Sequence, residues 1–481
     1  MTNEASTASE NRLSEIRLAV IGAGTGGYPA AFLAAELGMQ VTLIDPEANP
    51  GGVCLYRGCI PSKALLHAAE LLHDARSAEE LGIRFGEPEI DLDQLRGWKD
   101  AVVSKMTAGL GQLTRARRVD YRQGRARFLD AHTLHIANDG DIEELGFDYA
   151  IVATGSSPAI PGSIAIDSDR VWDSTDALEL RAIPDRLLVV GGGYIGLELG
   201  SVYEALGSEV TVIEMTRSLL PGADDDLVRV LERSLRERFA AIHLNTSVTA
   251  LEETAEGVRV TLSGAEHEQE TVEVDRVLIA VGRRPNSDGV GLESLATVVN
   301  DRGFVEVDGQ RRTAEPSVFA VGDVAGEPML AHKATHEARV AVETIAGEAA
   351  LWDPAAIPAV VFTDPELAWT GLSETDAQRR GIDIETVSFP WSASGRATTI
   401  ARNAGLTKLI LEPRTQRILG VGIVGRGAGE LMGEATLAVE MGARADDLRL
   451  TVHTHPTLSE TLMESAELLF NTSPHYIARR R

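Results

Sequence analysis

Two stretches of the chain share one pattern: LAVIGAGTGGYPAAFLAAELGMQVTLID at residues 18–45 and LLVVGGGYIGLELGSVYEALGSEVTVIE at residues 187–214. Each is predicted to form a strand, a glycine turn, a helix and a second strand that ends in an acidic residue. The matching positions, at a constant offset along the chain, are Gly22, Gly24, Gly27 and Asp45 in the first copy and Gly191, Gly193, Gly196 and Glu214 in the second. A single G-x-G-x-x-G motif can serve strand–helix packing alone, but two copies with the acid at the same distance predict two dinucleotide-binding units.

The residue types in this pattern suit a bound pyrophosphate. The first glycine makes a tight turn, the second lets the backbone approach the phosphates, and the third lets the helix pack on the strand. The phosphates then lie at a helix N-terminus, where free N–H groups and the helix dipole favour an anion. The terminal acid accepts hydrogen bonds from the ribose hydroxyls and repels a 2′-phosphate. Glu214 therefore favours NAD over NADP, although Arg217 weakens that preference.

The chain contains two cysteines, Cys54 and Cys59, in the stretch GGVCLYRGCIPSK at residues 51–63, directly after the first unit. Pro61 suits the first turn of a helix, so Cys59 is expected near a helix N-terminus, where a thiolate is stabilised. Two buried structural cysteines are the alternative. We expect no metal site, because a zinc site needs four ligands and no third cysteine exists.

Composition limits the partners of this protein. The net charge of −27 argues against nucleic acid and against an anionic membrane surface. No run reaches the roughly 18 apolar residues of a membrane span, and residues 1–11 lack the features of a signal peptide. We therefore expect a cytoplasmic protein, in which a cysteine pair is more often catalytic or metal-binding than structural. A local basic cluster is interpreted as a solvated face; its members are Arg115, Arg117, Arg118, Arg122, Arg125 and Arg127.

The 51–63 stretch closely resembles the redox-active disulfide segment of the flavin-dependent disulfide reductases, the group that contains dihydrolipoamide dehydrogenase, glutathione reductase and mercuric reductase. The resemblance implies that Cys59 faces the flavin and that Cys54 exchanges disulfides with the substrate. It also implies that Lys63 lies beside the flavin ring, with Glu198 as its ion-pair partner.

The resemblance extends over nearly the whole chain, through DYAIVATG at 148–155, VLIAVGRRPN at 277–286, VFAVGD at 318–323 and MLAH at 329–332. Asp323 by itself fits a turn or cap residue; the resemblance makes it a ligand of the FAD ribitol. The implied FAD contacts are Gly22, Gly24, Gly27, Asp45, Gly52, Lys63, Ala126, Thr154, Gly155, Ser156, Asp323, Met329, Leu330, Ala331 and His332. The implied NAD contacts are Gly191, Gly193, Tyr194, Ile195, Gly196, Glu198, Glu214, Val248 and Gly282.

Near the C-terminus, THPTLSE carries His455 and Glu460. A histidine can take the proton that a dithiol must lose, and a carboxylate can orient its ring. Thr457 to Glu460 also fits a capping box, which would make Glu460 a helix N-terminal residue, and both roles can hold together. His453 is expected to lack such a partner. In the family the His–Glu pair reaches the disulfide of the other subunit, so the resemblance implies a homodimer.

The predicted fold is α/β, with two Rossmann-like dinucleotide-binding domains, for FAD and for NAD, and a C-terminal α+β dimerisation domain. The FAD domain should span residues 12–151, completed by a central segment at 277–350, with the NAD domain at 152–276 between them. The start of the last domain is suggested by WDPAAIPAVVF, where two prolines punctuate the chain. The resemblance implies that residues 351–481 form the dimer interface.

Within the family, the residues favour the lipoamide branch. Glu214 stands where glutathione-type reductases carry basic residues for NADP, the C-terminal cysteine pair of mercuric reductases is absent, and the disulfide that soluble transhydrogenases lack is present. The resemblance therefore implies an enzyme that oxidises the dihydrolipoyl groups of a lipoylated carrier protein and reduces NAD, through FAD and the Cys54–Cys59 disulfide. A reductase with another disulfide substrate, or a redox-sensing flavoprotein scaffold, is the alternative.

Two dipeptides depart from the family pattern. Tyr56-Arg57 stands where lipoamide dehydrogenases usually carry Asn-Val, and we hypothesise that Arg57 tunes the nearby thiol or contacts an acidic carrier. Thr335-His336 replaces an acidic pair, for which the sequence offers no physical account. The carrier stays open between a 2-oxo acid dehydrogenase complex, the glycine cleavage carrier and a dedicated lipoate-binding protein.

Overall fold

The structure is a computed structural model that describes residues 13–264 and 267–477. The stretch 1–11, on which the signal-peptide expectation depends, and the predicted domain ends at residue 12 and residues 478–481 lie outside the described residues. The described chain divides into two compact units. The first contains residues 13–64, 91–159 and 282–353, and the second contains residues 65–90, 160–264, 267–281 and 354–477.

Helices and strands alternate around the two glycine turns, and runs of consecutive strands or consecutive helices occupy much of the remaining chain. The helices are α1 Gly27–Glu36, α2 Gly52–Arg57, α3 Cys59–Ser77, α4 Leu92–Ala116, α5 Ser174–Glu179, α6 Tyr194–Leu206, α7 Asp225–Arg238, α8 Ala331–Ala346, α9 Glu374–Arg380, α10 Gly395–Thr399, α11 Ala428–Glu440, α12 Ala445–Leu450 and α13 Glu460–Leu469. The strands are β1 Arg17–Ile21, β2 Gln40–Asp45, β3 Asp120–Gln123, β4 Arg125–Asp130, β5 Thr133–Asn138, β6 Asp141–Gly146, β7 Tyr149–Val152, β8 Ser156–Pro158, β9 Val171–Trp172, β10 Arg186–Val190, β11 Glu209–Ile213, β12 Ala241–His243, β13 Thr246–Glu253, β14 Val258–Gly264, β15 His267–Val274, β16 Arg276–Ile279, β17 Arg283–Pro285, β18 Val318–Ala320, β19 Ala359–Val361, β20 Glu366–Gly371, β21 Glu385–Pro390, β22 Leu406–Leu411 and β23 Ile418–Gly425.

The first unit is built on a parallel five-stranded sheet in the order β18-β7-β1-β2-β3. Its central strand β1 is apolar because both faces are covered: Leu18 and Val20 join a core with α1 and α8, and Ala19 and Ile21 face a second core. The chain order reverses on the two sides of β1, which opens a crevice beyond its C-terminal end. The predicted strand, turn, helix and strand over 18–45 are confirmed, and β18 of the returning segment completes this sheet.

The second unit repeats this arrangement with a parallel sheet in the order β12-β11-β10-β16-β9. Here β10 is central, and α6 follows it through the second glycine turn, which confirms the prediction for 187–214. Three antiparallel strands, β13 to β15, pack their apolar side chains on this sheet.

The same unit contains an antiparallel five-stranded sheet in the order β19-β20-β23-β22-β21, covered by α11, α12 and α13. Its core is organised around Trp391, which is fully buried and donates its indole N–H to Thr407 Oγ1 at 2.9 Å. Gly405 and Gly425 lie against the ring, where a Cβ on either residue would come within 2.5 Å of it. This sheet is the predicted α+β part of the chain, so the predicted fold class is confirmed.

The predicted three-domain division stays a proposal. The first unit leaves at residue 159 and resumes at 282, near the predicted boundaries at 151 and 277. Residues 65–90, assigned from the sequence to the FAD domain, belong to the second unit.

Candidate active site

The first glycine turn leaves no room for a side chain at its first and third glycines. A Cβ on Gly22, whose φ is 95°, would lie 2.4 Å from the carbonyl oxygen of Ala153, and a Cβ on Gly27 would lie 1.7 Å from that of Gly22. Gly52, whose φ is 57°, approaches so closely that its Cβ would lie 2.4 Å from the Cα of Gly24. The first residue of α2 therefore rests on the glycine turn, which forms a backbone cradle of the kind a pyrophosphate requires.

Asp45, at the end of β2, is buried beneath this turn. Its Oδ2 accepts the Ala23 N–H at 2.7 Å and its Oδ1 accepts the Glu47 N–H at 2.9 Å. Burial raises the pKa of Asp45, although the Ala23 hydrogen bond acts against this. Asp45 thus holds the loop, and it also stands where the sequence predicts the acid that binds the ribose.

The two cysteines lie on consecutive helices. Cys54 is half-buried in α2, and Cys59 is exposed as the first residue of α3, which confirms the predicted helix start. Neither cysteine is in a disulfide, and the two thiols are hydrogen-bonded to each other. This hydrogen bond first, and burial second, raise the pKa of the Cys54 thiol, while the positive charge of Lys63 acts in the opposite direction. Cys54 therefore keeps its proton more firmly than an ordinary thiol, and a separate base is needed to move protons during exchange.

Tyr56 and Arg57 point back to the loop that follows β2. Arg57 forms an ion pair with Glu47 and lies 5.9 Å from the centroid of the Tyr56 ring. The Tyr56 hydroxyl donates to the Asn49 carbonyl at 3.0 Å. The dipeptide therefore ties the redox segment to the loop that follows β2, a role that the sequence did not reveal.

Several stretches that resemble the family pattern contribute to one hydrogen-bonded cluster in the first unit. The Ser156 hydroxyl donates to Asp323 Oδ2 at 2.5 Å and accepts from Arg283 Nε at 2.7 Å. Asn286 Nδ2 donates to the Thr154 carbonyl at 3.0 Å. Arg283 and Asn286 lie in the quoted VLIAVGRRPN segment but were not singled out from the sequence.

The remaining predicted FAD residues lie in the same unit. Ala126 is buried on β4, and Gly155 precedes β8 with its carbonyl accepting the Asn286 N–H. Met329 and Leu330 precede α8, and Ala331 and His332 are its first residues.

A buried charge cluster supports the turn that carries Asp323. Glu337, fully buried, accepts from Lys333 Nζ at 3.0 Å, from Arg311 at 2.9 Å and from the Gly322 N–H at 2.7 Å. Buried charges of this kind persist only when paired, and here the pairing fixes the backbone of the turn. The four-residue spacing of Lys333 and Glu337 on α8 is the sequence feature from which part of this cluster could have been predicted.

Thr335 lies on the same helix, and its contacts supply a physical reason for this residue that the sequence did not. Its hydroxyl donates to the Thr25 carbonyl at 2.8 Å and to the Ala331 carbonyl at 3.2 Å. It therefore ties α8 to the first glycine turn, whereas the neighbouring His336 is exposed.

The second glycine turn has the same close contacts as the first at its first and third glycines. A Cβ on Gly191 would lie 2.4 Å from the Ala280 carbonyl oxygen, and a Cβ on Gly196 would lie 2.2 Å from that of Gly191. A Cβ on Gly193, however, meets nothing within 4 Å. Gly193 is the N-cap of α6, whose N-terminus is formed by Tyr194 and Ile195.

Glu214 holds the second turn as Asp45 holds the first. Its Oε2 accepts the Gly192 N–H at 2.7 Å and its Oε1 accepts the Thr216 N–H at 2.7 Å. Arg217 is exposed and forms a 3.4 Å ion pair with Asp225.

The other predicted NAD residues are more dispersed. Glu198, buried in α6, accepts the Phe362 N–H at 3.0 Å. Val248 is half-buried on β13, and Gly282 begins a segment of the first unit. The predicted Lys63–Glu198 ion pair stays a proposal.

The C-terminal histidine has its predicted carboxylate. His455 Nδ1 lies 2.9 Å from Glu460 Oε1, and Glu460 Oε2 accepts the Thr457 N–H at 2.8 Å. Glu460 is the first residue of α13, but the N-cap is Ser459, so only the carboxylate half of the predicted capping box forms. His455 is 71% exposed, which leaves its ring accessible.

The expectation that His453 lacks a partner is wrong. Its Nε2 lies 2.9 Å from Glu434 Oε1, and its side chain is only 5% exposed. The partner lies on α11, too far away in sequence to be recognised from the local motif.

Three carboxylates with the spacing of metal ligands occur among the described residues, namely Asp224, Asp226 and Glu374. Lys408 Nζ lies 2.7 Å from an oxygen of each, so an ammonium group occupies the position of a cation. Within the described part of the chain, no helix is both long and apolar enough to cross a membrane.

A glycine cradle beside a hydrogen-bonded cysteine pair, together with a second, open cradle, defines a flavin-dependent disulfide oxidoreductase. Family models agree: the pyridine nucleotide-disulphide oxidoreductase model matches residues 16–338, and the dimerisation domain of the same family matches residues 357–466. The chain belongs to the pyridine nucleotide-disulphide oxidoreductase family, and FAD and NAD are the cofactors of its dihydrolipoyl dehydrogenase relatives.

Named relatives narrow the class. The chain is 46% identical to the dihydrolipoyl dehydrogenase of Haemophilus influenzae, over 94% of both chains. It is 44% identical to dihydrolipoyl dehydrogenase 2 of Haloarcula marismortui, over 93% of this chain and 95% of the relative. Among solved structures, LpdA of Mycobacterium tuberculosis superposes with a TM-score of 0.88 at 30% identity, covering 94% of this chain and 99% of that one. The HOCl-induced flavoprotein disulfide reductase RclA of Escherichia coli gives 0.84 at 29% identity, covering 94% and 100%.

Proposed function

We propose that this enzyme oxidises dihydrolipoyl groups on a lipoylated carrier protein and reduces NAD. The Cys54–Cys59 pair supports this most directly, because two hydrogen-bonded thiols lie on consecutive helices, the first of which begins against the first glycine turn. The likeness to dihydrolipoyl dehydrogenases over most of the chain favours lipoyl over other disulfide substrates.

The thiol chemistry proceeds by exchange. A dihydrolipoyl thiolate attacks Cys54 Sγ, the Cys54–Cys59 bond breaks, and a mixed disulfide forms. The second lipoyl sulfur then closes the lipoyl ring and releases Cys54 as a thiol. When bound, FAD supplies a two-electron relay from the thiol pair to NAD. Re-forming the Cys54–Cys59 disulfide gives NADH and one proton, so the electrons of the dithiol are fully accounted for.

His455 is the proposed base for this exchange. A carboxylate only accepts, so the contact with Glu460 places a proton on Nδ1 and leaves Nε2 free to accept the thiol proton. The proton can then return to Cys54, which is released as a thiol and whose raised pKa favours that protonated form.

We further propose that His455 acts on the cysteines of a second copy in a homodimer. The dimerisation domain leaves a group of large apolar side chains more than 60% exposed around the His453–His455 stretch. These side chains are Leu437, Met441, Leu450 and Val452. A cytoplasmic location belongs to the same proposal, because the cysteine pair serves redox exchange and not structural bridging.

The test is a steady-state assay of the FAD-loaded protein with free dihydrolipoamide, comparing NAD with NADP. Cys54→Ser should abolish turnover while FAD content is retained, and His455→Gln should lower kcat by roughly 100- to 10,000-fold. His67→Gln, at an exposed position of α3, is the matched control and should retain wild-type activity. Turnover with NADP alone, or turnover that survives Cys54→Ser, would refute the assignment. A binding-only redox sensor would show no turnover with wild type.

A further inference from the structure

Helix α13 presents a row of carboxylates that continues from Glu460. Glu464 and Glu467 follow at four and seven positions, on the same face of the helix. Glu464 is only 4% exposed, and Glu467 Oε2 is buried without a hydrogen bond among the described residues. The helix that carries the proposed orienter of His455 therefore accumulates negative charge.

The C-terminal segment at residues 471–477 folds back onto this row. His475 Nδ1 lies 2.5 Å from Glu464 Oε1, and the Ser473 hydroxyl donates to Glu464 Oε2 at 2.6 Å. Tyr476 packs edge-on against Phe389 with the ring centroids 6.3 Å apart. This segment lies beyond the stretch matched by the dimerisation-domain model, which ends at residue 466.

The charges around His475 favour its protonated form. The hydrogen bond to Glu464 chiefly raises the pKa of His475, and the charges of Glu460 and Glu467 add to this. Burial and the charge of Glu464 raise the pKa of Glu467, while Arg449 and His475 act against this. Arg449, on α12, already pairs with Asp446 at 2.7 Å. His475 is thus the cation placed directly on the carboxylate row.

We propose that His475 is a positioning residue for the His455–Glu460 pair: its positive charge offsets the carboxylates of α13 and so restrains the basicity that Glu460 gives to His455. This inference rests on the proposed function for the role of His455. The pairing is fully present below the ordinary pKa of histidine and is lost as pH rises through the raised pKa of His475, because a raised pKa marks a partner that binds the protonated form.

The experiment compares full-length, FAD-loaded wild type with H475Q, H475K and S473A. One measurement is the pH dependence of kcat/KM with dihydrolipoamide and NAD. The other is the titration midpoint of His455 by NMR in protein labelled with ¹³C-histidine, with the signal assigned by its loss in H455Q. H475K keeps the positive charge, whereas S473A removes a neutral contact to the same carboxylate.

In H475Q we expect both the acid limb of the profile and the His455 midpoint to move upward by roughly half a pH unit, a fraction of the shift caused by a close unscreened charge. H475K should restore both values, and S473A should leave them at wild type. An unchanged midpoint in H475Q, or equal shifts in H475Q, H475K and S473A, would overturn the proposal. Absence of dihydrolipoamide turnover in wild type would refute the proposed function alone, because the NMR titration still decides the effect of His475.

Discussion

The two glycine turns are alike at their ends and different in the middle. At the first glycine, Gly22 and Gly191, a Cβ would lie 2.4 Å from the carbonyl oxygen of a residue that follows the neighbouring strand. At the third, Gly27 and Gly196, it would meet the carbonyl oxygen of the first glycine. Both units therefore satisfy the same strand–helix packing requirement.

The middle glycines show where the two units diverge. A Cβ on Gly24 would lie 3.8 Å from the Cα of Gly52 in the redox segment, whereas a Cβ on Gly193 would meet nothing within 4 Å. A turn covered by protein suits a nucleotide that stays bound, and an open turn suits one that exchanges in each cycle. This difference supports the proposed binding of FAD at the first turn and of NAD at the second.

The largest expected effect comes from Gly52→Ala. An alanine would occupy a left-handed backbone conformation and place its Cβ 2.4 Å from the Gly24 Cα. These two costs should weaken FAD retention on the order of 30- to 100-fold. FAD content after gel filtration and flavin fluorescence measure this. Gly109→Ala, on α4, is the control because its Cβ meets nothing within 4 Å; full FAD retention by Gly52→Ala would show that the contact does not close the first turn.

Gly193→Ala should affect NAD and not FAD. Gly193 has an extended backbone that alanine can adopt, and its Cβ projects into open space. The expected result is a KM for NAD raised about tenfold through crowding of the phosphates, with the melting temperature and FAD content unchanged. Steady-state kinetics with varied NAD measures this. An unchanged KM would mean that NAD does not approach this turn, and a loss of FAD would break the comparison between the units.

The smallest effect is expected at Arg57, which forms an ion pair with Glu47. The second unit has Thr216 at the position that corresponds to Glu47, so it cannot form this ion pair there. The ion pair is partly exposed, so Arg57→Val and Glu47→Gln should each weaken FAD retention about two- to fivefold, and the double variant no further than either single one. Additive effects would show that the pair does not act as a unit.

The same Arg57→Val variant tests the carrier hypothesis. If Arg57 contacts an acidic carrier, the variant should lower the rate with a lipoylated carrier and reduce its salt dependence, with free dihydrolipoamide as the control substrate. If neither the rate nor its salt dependence changes, the contact with the carrier is ruled out.

The sequence by itself determined the two dinucleotide-binding units, the cysteine pair at a helix start and the His455–Glu460 pair. These features depend on residues within about one supersecondary motif of each other, where glycine geometry, helix capping and strand patterning act locally.

Only the tertiary structure showed that Gly52 covers Gly24, that Glu434 binds His453, that Glu337 joins Lys333 to Arg311, and that His475 returns to Glu464. The partners in these contacts come from different elements or from opposite sides of a loop. A polar side chain that is buried by folding pairs with a group that the packed chain brings close to it. That group can be far away in sequence, so the local pattern of residues does not identify it.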